Sequence, residues 1–227
     1  MDSICRIKGI KKEEYPELYE TIESVCEKFN LKTIRVTVWP WGFNAAAIFV
    51  MDWLLVTKDL LKAMDKDELE AIIAHEFSHI FNRHGLTMLA TLFIFYAPFL
   101  GLHSKYSAEY SAAEIFNNPL LFFPYLVSII WLLIGFRGIN WVSVRLETNA
   151  DIQAIYKTQK PEALKRALLK LRSKGMVTDK RPTRLSKISE SVDWVVRYFF
   201  GFSHPSIAER IGYMEKYDLL STSDEFR

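Results

Sequence analysis

Two histidines four residues apart, His75 and His79 in the run HEFSH, with Glu76 directly after the first, are the residues of this sequence best arranged to do chemistry. On a helix, that spacing projects both side chains from one face, so two imidazoles can reach a single metal ion. Glu76 then stands beside the same ion's water. A zinc-type Lewis acid lowers the pKa of bound water toward neutrality, and a neighbouring carboxylate can take the proton and hand it to a leaving amine. The H-E-x-x-H pattern is short and arises by chance, so its surroundings must support it. A catalytic zinc needs a third protein donor, and the run LETNADIQA offers Glu147, with Asp151 four residues on along the same helical face. Glu147 can bind the metal while Asp151 accepts the free N–H of a ligating histidine, His75 by preference, and fixes its tautomer. The plainer reading of these two acids is a polar helix face. Further on, SHPSIAER supplies His204 and Arg210. Either could face the oxyanion formed when water attacks a peptide carbonyl, or could hold the carboxylates in place.

These groups work only if helices carry them. Asp65 followed by Glu68 reads as a capping box, and apolar periodicity continues through LEAIIAHEFSHIFNRH to about His84. His84, five residues after His79, would lie roughly 140° further round such a helix and point away from the metal, a helix-end histidine meeting the dipole. From Glu13 to Phe29, Tyr15, Leu18, Ile22, Val25, Cys26 and Phe29 recur at helical spacing. TIRVTVW (33–39), NAAAIFV (44–50) and WLLVT (53–57) are short, β-branched or aromatic runs broken by Pro40, Gly42 and Asp52, and suggest a small antiparallel sheet. Trp39 and Trp41, beside the turn, could line a cleft but are expected in the core. Trp141 to Tyr156 and Glu162 to Arg172 have helical periodicity, and 173–191 reads as a loop.

Two stretches, 85–104 and 115–136, contain no Asp, Glu, Lys or Arg apart from the flanks. Each is long enough, at roughly 30 Å as helix, to cross a bilayer core, and together they predict a transmembrane hairpin rather than buried core helices or a hydrophobic lid. His103 then falls at the far, interfacial end. Two crossings return Glu147 to the side of His79, as a shared metal requires. Arg83, Arg137 and Arg145 flank the hairpin on that side, whereas the connecting loop holds Lys105 with Glu109 and Glu114, a bias that favours a cytoplasmic site. The start, MDSICRIKGIKKEE, lacks an apolar run after its first charges and is expected to stay cytoplasmic without a cleaved signal. Cys5 and Cys26 lack any zinc-knuckle spacing and are expected to be packing thiols in a reducing compartment. The net charge of +2, with no phosphate loop, argues against nucleic acid. Eleven basic residues between Lys157 and Lys187 stand against two acidic ones, a solvated face or one that meets anionic lipid headgroups.

The order HEFSH, LETNAD, SHPSIAER resembles the HtpX and CAAX prenyl protease family of membrane zinc metallopeptidases. Its acidic motif is met at Glu147, Ala150 and Asp151, and its His-Pro-Ser followed by Glu-Arg-Ile at His204, Pro205, Ser206, Glu209, Arg210 and Ile211. The resemblance implies that Asn44, Ala45, Ala46 and Ala47 form a strand that pairs with substrate backbone; from the residues alone, Asn44 could equally be a turn residue opening a strand. HtpX-type proteins place two spans ahead of the metal helix, whereas this sequence carries its pair between the motif and the third donor. The fold expected is α+β and mostly helical, one zincin-like metallopeptidase domain over 1–227 with a small antiparallel sheet and the inserted hairpin. It would hold one Zn2+ per chain and cleave polypeptides of membrane-associated or unfolded proteins. A second copy or a membrane partner could be needed to enclose the cleft. The rival readings are a catalytically silent, zinc-stabilised membrane scaffold and a soluble peptidase with a hydrophobic lid.

Overall fold

A computed structural model describes residues 5–48, 52–174 and 207–221. They divide into two units, one of residues 5–86, 146–174 and 207–221, the other of 87–145. In the first unit the chain runs through β1 (Arg6–Lys8), α1 (Pro16–Phe29), β2 (Thr33–Trp39), β3 (Ala45–Ile48), β4 (Trp53–Thr57), α2 (Lys58–Ala63) and α3 (Lys66–Phe81). After the second unit it gives α7 (Pro161–Lys174) and α8 (Ile207–Ser221).

Helix α1 starts at Pro16, whose fixed φ suits a first turn, and stops at Asn30, which adopts the left-handed conformation (φ 53°). It turns Leu18, Ile22, Val25, Cys26 and Phe29 inward. The sheet has the order β1-β2-β4-β3 and is mixed: β1 and β2, and β2 and β4, pair in parallel, and only β3 with β4 is antiparallel. The expectation of an antiparallel sheet is thereby corrected. Alternation and residue type mark strands but do not choose neighbours; the 40–44 connection carries the chain past the place that β4 takes beside β2, and β3 becomes an edge. Strand β1 was not legible, being three residues long. Gly9 follows it at φ 97°, where a Cβ would lie 2.2 Å from the Val36 carbonyl oxygen, so only glycine lets this segment approach β2.

The parallel β1–β2 pairing also returns Cys5 to the last turn of α1, where it forms a disulfide with Cys26 across 21 residues. The expectation of unpaired thiols is corrected, because strand order rather than spacing brings the sulfurs together. A further correction concerns Trp39 and Trp41, which are 44% and 69% exposed: one ends β2 and the other sits in the turn beyond, so neither reaches the core.

Helix α3 is the centre of this unit. Asp65 caps it, accepting from the Glu68 amide while Glu68 accepts from the Asp65 amide, so the expected capping box is formed. Nearly every side chain from Glu68 to Ile80 is buried, because α1, α7 and β3 all pack against the helix. Phe29, Phe77, Ile73, Leu54 and Leu164 form much of the shared core. Helix α7 and the residue before it add charge to apolar contact: Lys160 pairs with Asp67 and Glu70, and Lys170 and Arg166 with Glu68. The first part of the basic run is therefore engaged with α3, not merely solvated; its remainder, like the loop expected from 175 onward, lies outside the described residues.

The second unit contains most of α4 (His84–Glu109), α5 (Ala112–Asn117) and the first part of α6 (Pro119–Thr158). Ser111 and Glu114 form a capping box at α5, and Asn118, extended, ends it just before α6 begins at Pro119. Helices α4 and α6 are each long and apolar enough to cross a membrane, with mean hydropathy of 1.8 and 2.1 over their most apolar windows. They meet where Gly135 and Gly138 leave room for the Phe95 ring, with Tyr96 edge-on to Phe136. His103, at the far end of α4, stacks on Phe99. The second apolar stretch, from Pro119, and the helix expected over 141–156 are a single 40-residue helix.

Candidate active site

The capped start of α3 fixes the rotation of everything after it, and that rotation turns His75 and His79 toward the last turns of α6. Nε2 of His75 and Nε2 of His79 lie 3.2 Å apart. Glu147, on α6, brings Oε2 to 3.5 Å from the first and Oε1 to 3.5 Å from the second. Among the described residues these three form a group whose donor atoms could hold one metal ion. The spacing fits zinc: donors at about 2.0–2.1 Å in tetrahedral array stand roughly 3.3–3.5 Å from one another.

Behind this triangle the polar atoms are partnered. Nδ1 of His75 donates to Asp151 Oδ1 at 2.9 Å, and Arg210 of α8 clasps the same carboxylate through Nε to Oδ2 at 2.7 Å and Nη2 to Oδ1 at 2.6 Å. Arg210 Nη1 also lies 3.8 Å from Glu147 Oε2. Of the two uses foreseen for Arg210, this geometry meets the second, fixing carboxylates. Burial alone would lower the pKa of His75, but the hydrogen bond and charge of Asp151, with Glu147 behind them, push it up to about 10. Asp151 would be raised by burial, yet His75 and Arg210 hold it below the usual carboxylate range. His79 behaves oppositely: burial and the neighbouring His75 charge push it down to about 3, so its lone pair is free.

Glu76 sits on the sheet side of α3, where its Oε2 accepts the Ala47 amide at 2.8 Å. Burial pushes its carboxyl up to about 7, with the His75 charge opposing. That hydrogen bond also reveals which way β3 faces. Thr57 N donates to Asn44 O, and Ala45 and Ala47 pair with Val56 and Leu54, so by antiparallel alternation the amides and carbonyls of Ala45 and Ala47 point to the open edge. Ala46, opposite Leu55, faces its neighbour strand instead.

The description of one family, peptidase family M48, matches residues 15–218, a span that includes all of these groups. The chain belongs to peptidase family M48. Curated relatives within reach include the protease HtpX homolog of Nostoc sp. strain PCC 7120, 29% identical over 180 residues that cover 74% of this chain and 61% of that protein. The protease HtpX homolog 2 of Methanosarcina mazei is 26% identical over 221 residues, 91% of this chain and 74% of that one. The homolog of Neisseria meningitidis serogroup C is 26% identical over 209 residues, 88% and 72% respectively. The chain thus spans about three-fifths of the length of the first of these relatives.

Of the residues singled out in this M48 sequence, the structure brings together His75, His79, Glu147, Asp151, Arg210, Glu76 and Ala47. Asn44 lies just before β3, exposed, with its backbone held by Thr57. His204 lies outside the described residues. His84 corrects the sequence reading: its Nδ1 stands 3.0 Å from Nδ1 of His79. Helix α3 ends at Phe81, and Arg83 takes φ 52°, so the helical count from His79 does not apply and the chain folds back. Asn82, a residue that often ends helices, was the signal that could have shown this.

Proposed function

We propose that this chain is a zinc-dependent endopeptidase that hydrolyses peptide bonds of membrane-associated or unfolded proteins, with a site facing the cytoplasm. The observation that carries the reading is the convergence of two imidazole nitrogens, 3.2 Å apart, and a carboxylate whose oxygens each lie 3.5 Å from one of them, from helices α3 and α6, with a half-buried carboxylate adjacent in sequence to the first. His75, His79 and Glu147 would hold one zinc, and Asp151 orients His75. Zinc, once bound, would polarise the scissile carbonyl and make water available as a nucleophile near neutral pH.

The chain's own groups do the rest. A substrate strand adds to the open edge of β3, using the outward amide and carbonyl of Ala45 and the carbonyl of Ala47, whose amide is held by Glu76. Asn44 marks where that edge begins. Glu76 takes the attacking water's proton on its carboxylate and delivers it to the leaving nitrogen; a carboxyl titrating near 7 is suited to both steps. Arg210 holds Asp151, and through it His75, in place. His204 keeps the two roles read from its sequence, facing the oxyanion or holding the carboxylates.

Helix α4 and the first part of α6, to about Phe136, are proposed as a membrane-spanning hairpin. Phe93, Ile94, Leu100, Phe123, Ile130 and Ile134 are exposed along them, an apolar surface that water would not tolerate but lipid would. That exposure favours the hairpin over core helices.

Casein cleavage by the full chain in detergent tests the reading. Wild type should cleave, lose activity to a chelator and regain it with zinc. Glu76→Gln should keep its zinc and lose cleavage by several orders of magnitude. Undiminished cleavage by that variant overturns the mechanism, and a zinc-bound wild type that cleaves nothing favours the scaffold alternative.

A further inference from the structure

His79 has one ring nitrogen, Nε2, turned to His75 and Glu147, and the other, Nδ1, turned to His84. A neutral imidazole carries a single N–H. If Nε2 is to offer its lone pair to a metal, the proton must sit on Nδ1 and needs an acceptor. His84 Nδ1, 3.0 Å away, is that acceptor. It can accept only with its own proton on Nε2, and His84 is hydrogen-bonded in turn to the side chain of Asn149. Asn149 lies two residues after Glu147 on α6, and its Oδ1 also takes a weak bond from Asn82 Nδ2 at 3.4 Å. Asn82 in turn accepts from Gln153 Nε2 at 3.3 Å.

Resting on the metal-site reading above, we infer that His84 is a positioning residue for the second histidine ligand, accepting the Nδ1 proton of His79 and tying its ring, through Asn149, to the helix that carries Glu147. The two ligand histidines are thus oriented by unlike partners. His75 leans on a carboxylate clasped by arginine, whereas His79 leans on a neutral imidazole. The turn that allows this is specific: Asn82 N bonds Ser78 O, Arg83 N bonds Ile80 O, and the left-handed Arg83 reverses the chain so that His84, 5% exposed, comes to lie against His79. The same hydrogen-bond chain joins the end of α3, the first residue of α4 and the metal-bearing turn of α6.

The test uses the full chain in detergent, stripped of metal and titrated with zinc against a chelating indicator. His84→Phe keeps a buried ring but removes both hydrogen bonds, and should weaken zinc binding about 10–100-fold. His84→Gln can still accept and donate, and should stay within about threefold of wild type by the same reasoning. Equal zinc affinity for His84→Phe and wild type, or a Gln variant as weak as Phe, overturns the inference. Should the Phe variant not fold, NMR of ring-15N histidine in the zinc-loaded wild type decides. A scalar coupling between Nδ1 of His79 and Nδ1 of His84 across the hydrogen bond is expected, and a protonated His79 Nε2 refutes it. Zinc that fails to bind wild type at all rejects the metal-site reading itself, which separates the two failures.

Discussion

Replacing Asp151 by Asn should change how zinc affinity depends on pH more than it changes the fold. In the metal-free protein His75 lies between Asp151, at 2.9 Å, and Glu147, at 3.5 Å, and its pKa is pushed up to about 10. Its Nε2 must lose a proton before it can serve as a donor. At pH 7, about three units below that pKa, the displacement costs about 4 kcal/mol, so the apparent affinity should rise close to tenfold per pH unit until about pH 9–10. The sign follows from a raised histidine pKa: the protonated form competes with metal at low pH and ceases to compete as pH climbs through it. Glu76, near 7, adds proton release only at the acid end, so about pH 7.5–9 isolates His75. The Asn side chain still accepts the Nδ1 proton through its oxygen but carries no charge, so the His75 pKa falls and the slope flattens. Chelator competition across that window, on both proteins, measures it. Wild-type affinity that is flat above about pH 7.5, or two parallel slopes, would refute the assignment of Asp151 as the group that charges His75.

Two further outcomes concern the apolar unit. A methyl group added at Gly135 would meet the Phe95 Cβ at 2.8 Å, near the backbone, whereas at Gly138 it would meet the far edge of the same ring at 2.8 Å, which can swing aside. Gly135→Ala should therefore lower thermal stability in detergent by about 1–3 kcal/mol and Gly138→Ala by less, and the reverse order would contradict the packing. Alkaline carbonate should leave the protein in the membrane fraction, and release to the supernatant would reject a spanning hairpin.

The metal motif could be read from local spacing because two residues four apart on a capped helix have no choice of face, and Asp65 with Glu68 announced where that helix begins. Glu147 and Asp151 were legible for the same reason. The partners of these residues were harder. Sheet order, the return of Cys5 to Cys26 and the exposure of Trp39 all depend on which strands become neighbours, a decision made by long-range packing. His84 was missed through one wrong boundary: carrying α3 three residues too far rotated the imidazole away from the site, whereas the left-handed Arg83 rotates it back. The fused α6 was missed because nothing local separates an apolar helix from a polar one that continues it.

The central claim is that two helices share one ion through His75, His79 and Glu147, and metal content tests it most directly. Purified wild type and Glu147→Ala, dialysed against trace zinc and measured by elemental analysis, should give about one zinc per chain and a small fraction of that, respectively. Equal zinc in both would show that Glu147 is not a ligand and contradict the account.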